Sequence, residues 1–155
     1  MGESLSEDVN EYQPIMQAVA QAIGCECEDL KEEKYDSYGL RVFSAYRQEW
    51  AAGTDDEATE AAKNYIKDSA WSFKPEFIAS HTKGGASNGM IKAITALQEA
   101  CESSNDDILS LIEDIDDFIE DAVSSDGRGM FLSPCDSNEQ EVKIGNEYYY
   151  AYRQN

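Results

Sequence analysis

The residues of this chain that could carry chemistry are mainly carboxylates. The stretch DDILSLIEDIDDFIEDA, residues 106–122, holds eight acids and no base. Carboxylates in such numbers can form a solvated helix face, a metal site, or a negative surface that a basic partner binds. The choice among these depends on where the charge lies and on which other reactive side chains accompany it.

The negative charge is concentrated in two segments. The formal net charge is −20, from 32 acidic and 12 basic side chains. Residues 1–36 carry ten acids and two bases, and residues 102–127 carry ten acids and no base, whereas the other segments are nearly neutral. A general solubility bias would acidify most of the surface, so this segregation indicates an acidic surface with a binding role.

Few side chains suited to catalysis accompany these acids. His81 is the only histidine, so every Ser–His–Asp or Cys–His set would have to include it, and its context is more typical of a loop or helix-cap residue. The four cysteines lack the CxxC spacing of a zinc site, and GGASNGM lacks the Lys-Ser/Thr of a phosphate-binding loop. Residues 136–147 lack the mid-loop glycine of an EF-hand. We therefore predict no enzyme activity, no catalytic residue, no metal and no cofactor.

The elements that must position the acids follow from the apolar pattern. Helical periodicity and capping residues predict helices at 14–23, 54–73, 75–81, 88–103 and 106–121. Alternating apolar residues and turn signals predict a central hairpin at 40–50 and C-terminal strands at 129–133, 141–144 and 147–153, the last two joined at Gly145-Asn146. Residues 25–38 have no regular pattern. We predict one α+β domain over 1–155, with helices packed on a small antiparallel sheet and with residues 1–12 flexible.

The acidic helix is predicted to be amphipathic. Its buried stripe is formed by Ile108, Leu111, Ile112, Ile115, Ile119 and Ala122. The acids on the other side include like-charge pairs four residues apart, each costing roughly 0.2–0.5 kcal/mol. Glu113, Asp117 and Glu120 would step along the helix by roughly 4.5–6 Å, similar to the spacing of neighbouring phosphates. Such a rod of carboxylates fits a groove lined with lysine and arginine.

The tyrosines of the last strand offer a second binding mode. In YYYAYR, Tyr148, Tyr150 and Tyr152 would share one face of the strand, and Tyr149 the other. One face is expected to pack under helices. Exposed tyrosines on the other face would suit a protein interface, where this residue type is enriched.

Two passages resemble a known group of proteins. GTDDEATEAAKNYIKDSAW and DGRGMFLS, with the closing YYYAYR, are similar to small acidic proteins of tailed bacteriophages to which no activity is assigned. The resemblance covers most of residues 37–155 and brings no site residues. It implies a phage setting, in which compact acidic proteins often inhibit host defence or DNA-handling enzymes, some of them by imitating DNA.

The leading hypothesis is a phage-encoded, non-enzymatic inhibitor of a host defence complex, such as a CRISPR effector or a restriction enzyme. It would bind a basic, nucleic-acid-binding surface by DNA mimicry, as an anti-CRISPR or antirestriction protein. It would act in the host cytoplasm, without direct contact to nucleic acid or membrane. The predicted partner-binding residues are Asp106, Asp107, Glu113, Asp114, Asp116, Asp117, Glu120, Asp121, Glu28, Asp29, Glu32 and Glu33. Two alternatives are an interaction module that uses aromatic contacts and a small metal-dependent enzyme that disarms defence signalling.

Overall fold

The computed structural model describes residues 12–155, so the prediction of a flexible segment at 1–12 falls almost entirely outside the described residues. Two compact units are present. The sheet unit contains the residues up to Ala62 together with Arg128–Asn155, and the helical unit is Lys63–Gly127. The boundary after Ala62 lies inside one continuous helix, and the single domain over 1–155 stays a prediction.

The described residues form helices and one five-stranded antiparallel sheet, which confirms the predicted α+β class. The helices are α1 (Pro14–Ile23), α2 (Asp55–Asp68), α3 (Pro75–Ser80), α4 (Asn88–Gln98), α5 (Asn105–Leu111), α6 (Ile115–Asp126) and α7 (Arg128–Leu132). The strands are β1 (Lys31–Ser37), β2 (Leu40–Ala45), β3 (Gln48–Gly53), β4 (Gln140–Ile144) and β5 (Glu147–Arg153). Short 3₁₀ helices lie at Cys27–Asp29, Ala70–Ser72 and Cys101–Ser104.

The sheet has the strand order β1-β2-β3-β5-β4, and every neighbouring pair is antiparallel. The predicted central hairpin is β2–β3, and the predicted C-terminal hairpin is β4–β5 with its turn at Gly145-Asn146. Strand β3 pairs with β5 with Ala52 opposite Ala151, so the two hairpins form one continuous sheet. Small side chains at this seam leave room for the helix above it.

Helix α1 covers one face of the sheet. Pro14 occupies its first turn, and Gly24 ends it in the left-handed conformation, with φ of 87°. The buried cluster between helix and sheet contains Ile15, Ala18, Val19, Phe43, Trp50, Ala52, Val142, Tyr149 and Ala151. Residues that point to the opposite face are buried as well, namely Leu40, Val42, Ala51 and Tyr152. The sheet is therefore buried on both faces in its central strands.

Strand β1 was not predicted. Its sequence KEEKYDS has no alternation of apolar residues, and none of its seven residues is buried. It pairs with β2 from Lys31 opposite Ser44 to Ser37 opposite Leu40, with an irregularity between Glu32 and Asp36. Charged residues on an edge strand discourage pairing with other chains, which explains why this strand carries no hydrophobic signal.

The strand predicted at 129–133 is wrong, because residues 129–132 belong to α7. A short apolar run such as MFL does not distinguish a strand from a buried helical turn. Gly129 packs so closely against the chain at 137–139 that an added Cβ would lie 2.6 Å from the Ser137 carbonyl oxygen. The helical turn and this close approach bring the chain back into the sheet at β4.

Arg128 links segments of the sheet unit that are far apart in sequence. Its side chain is only 13% exposed, and its guanidinium donates to Glu139 Oε1 and Asp55 Oδ1, both at 2.8 Å, and to Thr59 Oγ1 at 3.1 Å. The guanidinium also lies 4.7 Å from the centre of the Tyr150 ring. Glu139 accepts a further hydrogen bond from the Tyr152 hydroxyl. The Arg128 guanidinium therefore connects the start of α7, where it lies, with the start of α2, the residue before β4 and strand β5.

We predict that Arg128→Ala lowers the free energy of unfolding by about 2 kcal/mol, because it removes a mostly buried guanidinium that donates to three side chains and packs on the Tyr150 ring. Chemical denaturation measures this change. The matched control is Arg41→Ala, which removes a solvent-exposed pair with Glu32 and should cost below about 1 kcal/mol. Equal losses in the two variants would show that Arg128 has no special role.

Candidate partner-binding surface

The acidic segment is not one helix. Helix α5 ends at Leu111, and Ile112 is extended, with φ of −77° and ψ of 124°. Ile112 forms an isolated antiparallel bridge with Thr82, and the Glu113 amide donates to the His81 carbonyl at 2.9 Å. The predicted continuous helix over 106–121 is therefore wrong. A backbone contact with residues 81–82, far away in sequence, satisfies groups that a continuous helix would have bonded internally.

The break shifts which residues of the segment are buried. Ile108, Ile112, Ile119 and Ala122 are buried as predicted, whereas Leu111 and Ile115 are half-buried. Phe118, absent from the predicted stripe, is fully buried. The helical phase begins again at Ile115, which places Phe118 inward. The sequence signal for Phe118 was its size and apolar character, because a single helical phase over both segments places it at the edge of the apolar stripe, next to Leu111.

The break also changes the electrostatics of the acids. Asp114 becomes the N-cap of α6, and its Oδ1 accepts from the Asp117 amide at 3.2 Å. Asp116 and Asp117 lie in the first turn of α6, and Asp106 and Asp107 lie in the first turn of α5. Carboxylates at these places interact favourably with the unsatisfied amides and the helix dipole. Five of the eight acids are thus at helix N-termini, and Glu113 and Asp117 are not a like-charge pair on one helix.

Two of the acids have cationic or ionisable partners. Asp116 lies 3.4 Å from Lys63 Nζ, with the carboxylate side chain 80% exposed. Asp121 Oδ2 lies 2.8 Å from His81 Nε2. The His81 ring packs edge-on against Phe118 and also contacts Phe77, each with ring centres 5.3 Å apart. His81 occupies the C-terminal cap of α3, as its context indicates, but its side chain also ties α3 to α6.

Glu113 and Glu120 differ from the other acids of this segment. Both are exposed, and within residues 12–155 their carboxylates form neither an ion pair nor a hydrogen bond. Neither caps a helix or lies in a first turn. We call the exposed carboxylates of Asp106, Asp107, Glu113, Asp117 and Glu120 the acidic surface. Its members have no ion-pair partner in the described part of the chain, so their charge faces solvent.

The second predicted group of acids lies in the sheet unit, and three of its four members are engaged. Glu32 accepts from Arg41 Nη2 at 2.7 Å and Nε at 2.8 Å. Glu33 accepts from the Ser44 hydroxyl, and Asp29 accepts from the Tyr46 hydroxyl and the Glu26 amide. Glu28 is exposed without such a contact in the described residues. Arg41 offsets one of these charges, so the local surface is less negative than the sequence indicates.

The tyrosines of β5 divide as the strand alternation predicts. Tyr148, Tyr150 and Tyr152 share a face, but only Tyr148 is exposed, at 45%, and Tyr152 is fully buried. Tyr149 is buried on the face that α1 covers. Larger exposed aromatic surfaces lie elsewhere, at Tyr35 and Tyr46, which are 54% and 68% exposed. The last strand is therefore mainly part of the core.

Residues 12–155 contain no group of three or more histidine, cysteine or acidic side chains arranged to hold a metal ion. No helix within the same range is long and apolar enough to cross a membrane. All four cysteines are free thiols. Partial burial raises the pKa of both Cys25 and Cys27, and neighbouring acidic side chains raise it further. Thiols with raised pKa values are poor nucleophiles at neutral pH.

Comparison with protein-family models, with curated proteins and with solved structures found no match for this chain.

We predict that Asp114→Ala lowers the free energy of unfolding by about 1 kcal/mol, because the Asp117 amide loses its acceptor at the start of α6. Asp114→Asn, which keeps a side-chain oxygen, should recover most of the loss. Thermal or chemical denaturation measures both. Glu113→Ala is the matched control and should change stability by less than about 0.5 kcal/mol. A loss on Glu113→Ala equal to that on Asp114→Ala would contradict the capping role.

We predict that Glu32 titrates below its ordinary value of 4.5, because the hydrogen bond from Arg41 favours the charged carboxylate more than partial burial opposes it. The stabilisation is present above the unfolded-state pKa and is lost as the pH falls through the lower folded-state value. Carboxyl-carbon NMR titration of Glu32 measures the midpoint. In Arg41→Gln the midpoint should return towards the ordinary value, and an unchanged midpoint would rule out the assigned cause.

Proposed function

We propose that this protein binds a basic, nucleic-acid-binding surface of another protein and thereby competes with nucleic acid. The observation that carries the proposal is the acidic surface, five exposed carboxylates on α5, α6 and the break between them without an ion-pair partner in the described residues. Mutual repulsion among them destabilises the folded protein, and a partner rich in lysine and arginine would relieve it. The proposed partner is a bacterial defence complex, and the proposed setting is a phage infection.

The form of the mimicry differs from a rod of evenly spaced charges. Since α5 and α6 are separate helices, the carboxylates follow two helix axes and an extended segment rather than one axis. The acidic surface would therefore imitate the negative charge of DNA but not the regular spacing of its phosphates. Such a patch would accelerate association and give an affinity that falls with salt, because exposed charges are screened over about 8–10 Å at physiological ionic strength.

The enzyme alternative has less support. Within residues 12–155, His81 is engaged with Asp121 and packed against phenylalanine rings, and no described cluster of acids is arranged around a metal. The aromatic alternative has a specific observation in its favour, since Tyr35 and Tyr46 expose more than half of their surface. Both lie in the sheet unit, whereas the acidic surface lies in the helical unit.

The test of the proposal is charge reversal at the two acids without a structural role. We predict that Glu113→Lys with Glu120→Lys raises the concentration needed to release labelled duplex DNA from a guide-loaded CRISPR effector or a restriction enzyme by about tenfold. Fluorescence anisotropy of the DNA at graded salt measures the release. Asp114 and Asp117 are left unchanged because their loss would also weaken the start of α6.

The matched control is Glu60→Lys with Glu99→Lys, which changes the net charge equally at exposed positions outside the acidic surface. We expect the control to release DNA within about threefold of the wild-type protein. If control and test variants lose the same activity, net charge alone is responsible. If the test variant releases DNA as well as the wild type, or if the wild type releases none from either complex, the proposed function is wrong.

A further inference from the structure

The turn between β2 and β3 adopts a conformation that its residues disfavour. Tyr46 and Arg47 are its two central residues, with φ of 52° and 64°. Two-residue hairpin turns of this kind favour asparagine followed by glycine, because positive φ costs free energy for other side chains. The second strand of the hairpin predicted at 40–50 therefore starts only at Gln48. A tyrosine and an arginine are thus presented at the tip of the hairpin.

The end of the chain holds this turn in place. The Asn155 side chain donates to the Arg47 carbonyl at 3.1 Å and accepts from the Glu49 amide at 2.8 Å. The backbone amide of Gln154 donates to the backbone carbonyl of Glu49 at 2.8 Å. These contacts supply the stability that the turn residues do not. The strained conformation is therefore fixed by its surroundings, which is typical of residues placed for a purpose other than stability.

The side chain of Tyr46 is exposed and anchored at its hydroxyl. The residue is 68% exposed, the largest fraction among the large hydrophobic residues described as exposed. Its hydroxyl donates to Asp29 Oδ2 at 3.1 Å, and Glu26 lies close enough to act on the same hydroxyl electrostatically. The tyrosine is therefore anchored beside two carboxylates while most of its surface faces solvent.

A groove lies next to these carboxylates, between α1 and the 3₁₀ helix at Cys27–Asp29. Its volume is about 410 Å³, and its lining includes Tyr12, Gln17, Cys25, Glu26, Cys27 and Glu28. The lining combines a tyrosine, two glutamines, two cysteines and two glutamates. No lysine or arginine is among the lining residues that the structure describes. This chemistry suits a cationic side chain whose stem is apolar and whose head forms several hydrogen bonds.

We propose that Tyr46, Glu26, Glu28 and Asp29 form a site for an arginine side chain of the protein partner. The guanidinium would stack on the exposed Tyr46 ring and donate to the neighbouring carboxylates. The inference rests on the proposed function, since it assigns one residue type of the basic partner to one place on this chain. It adds a contact of defined geometry to the diffuse attraction of the acidic surface.

Arg47 supplies an unusual control. Within residues 12–155 it forms no ion pair, and its charge opposes a basic ligand. Tyr46→Asn and Arg47→Gly each introduce the residue that this turn favours, so neither should lower the melting temperature. The two variants differ in that only Tyr46→Asn removes the ring. A binding loss confined to Tyr46→Asn could not be caused by a damaged turn.

The experiment measures binding of a fluorescent peptide of alternating arginine and glycine. We expect Tyr46→Asn to raise its Kd by about fourfold, a typical effect of losing a cation–π contact at an exposed ring. Arg47→Gly should leave the Kd unchanged or lower it. Glu28→Gln, at an exposed side chain without a hydrogen bond in the described residues, should raise the Kd by about threefold. A peptide in which citrulline replaces arginine should not bind.

The outcomes separate this inference from the proposed function. Wild-type affinity in both Tyr46→Asn and Glu28→Gln, equal binding of the citrulline peptide, or an equal loss in Arg47→Gly would overturn the arginine site. In that case, loss of DNA release in Glu113→Lys with Glu120→Lys would still support the proposed function. Conversely, a Kd that depends on Tyr46 together with DNA release that does not depend on Glu113 and Glu120 would sustain the site and refute the competition with nucleic acid.

Discussion

Mutual repulsion among carboxylates is the constraint that this structure has to satisfy. With 32 acids against 12 bases, most acids cannot have a cationic partner. The fold places its cations where they contribute most, with Arg128 between Asp55 and Glu139 and Arg41 on Glu32. Elsewhere it uses backbone amides as the positive partners, at the N-termini of helices. The division of one acidic segment into α5 and α6 creates a second helix start, so the break itself reduces the repulsion.

The break depends on tertiary contacts that lie at residues 81–82. The His81 carbonyl accepts from Glu113, Thr82 bridges Ile112, and the His81 ring binds Asp121 while packing on Phe118. A single turn of chain therefore determines where α6 begins and which of its residues are buried. The same contacts decide which carboxylates stabilise the helix and which only face solvent. The acidic surface is thus a product of packing as well as of composition.

The sequence predicted elements whose signal is local. The start of the helix predicted at 54, the hairpin turn at Gly145-Asn146 and the apolar face of α1 depend on neighbouring residues, and all three are present. At the first of these, Thr54 and Glu57 form a reciprocal capping box. Edge strand β1 was not predicted, because a strand that faces solvent on both sides needs no alternation of apolar residues. The break at 112–114 could not be predicted, because the amide partner of its backbone comes from residues 81–82. All eight acids predicted at 106–121 are exposed, but only the structure separates their roles.

The acids at 106–121 fall into two groups according to their contacts within the protein. Acids such as Asp114 and Asp121 have contacts within the protein, so their presence needs no partner. Glu113 and Glu120 have none in the described residues, and a lysine at either place would reduce the repulsion without removing a contact. The Tyr46–Arg47 turn presents the same conflict in another form, because asparagine and glycine would stabilise it. At both places the residues present stabilise the fold less than lysine, or asparagine and glycine, would, and the two proposed binding roles are physical reasons for keeping them.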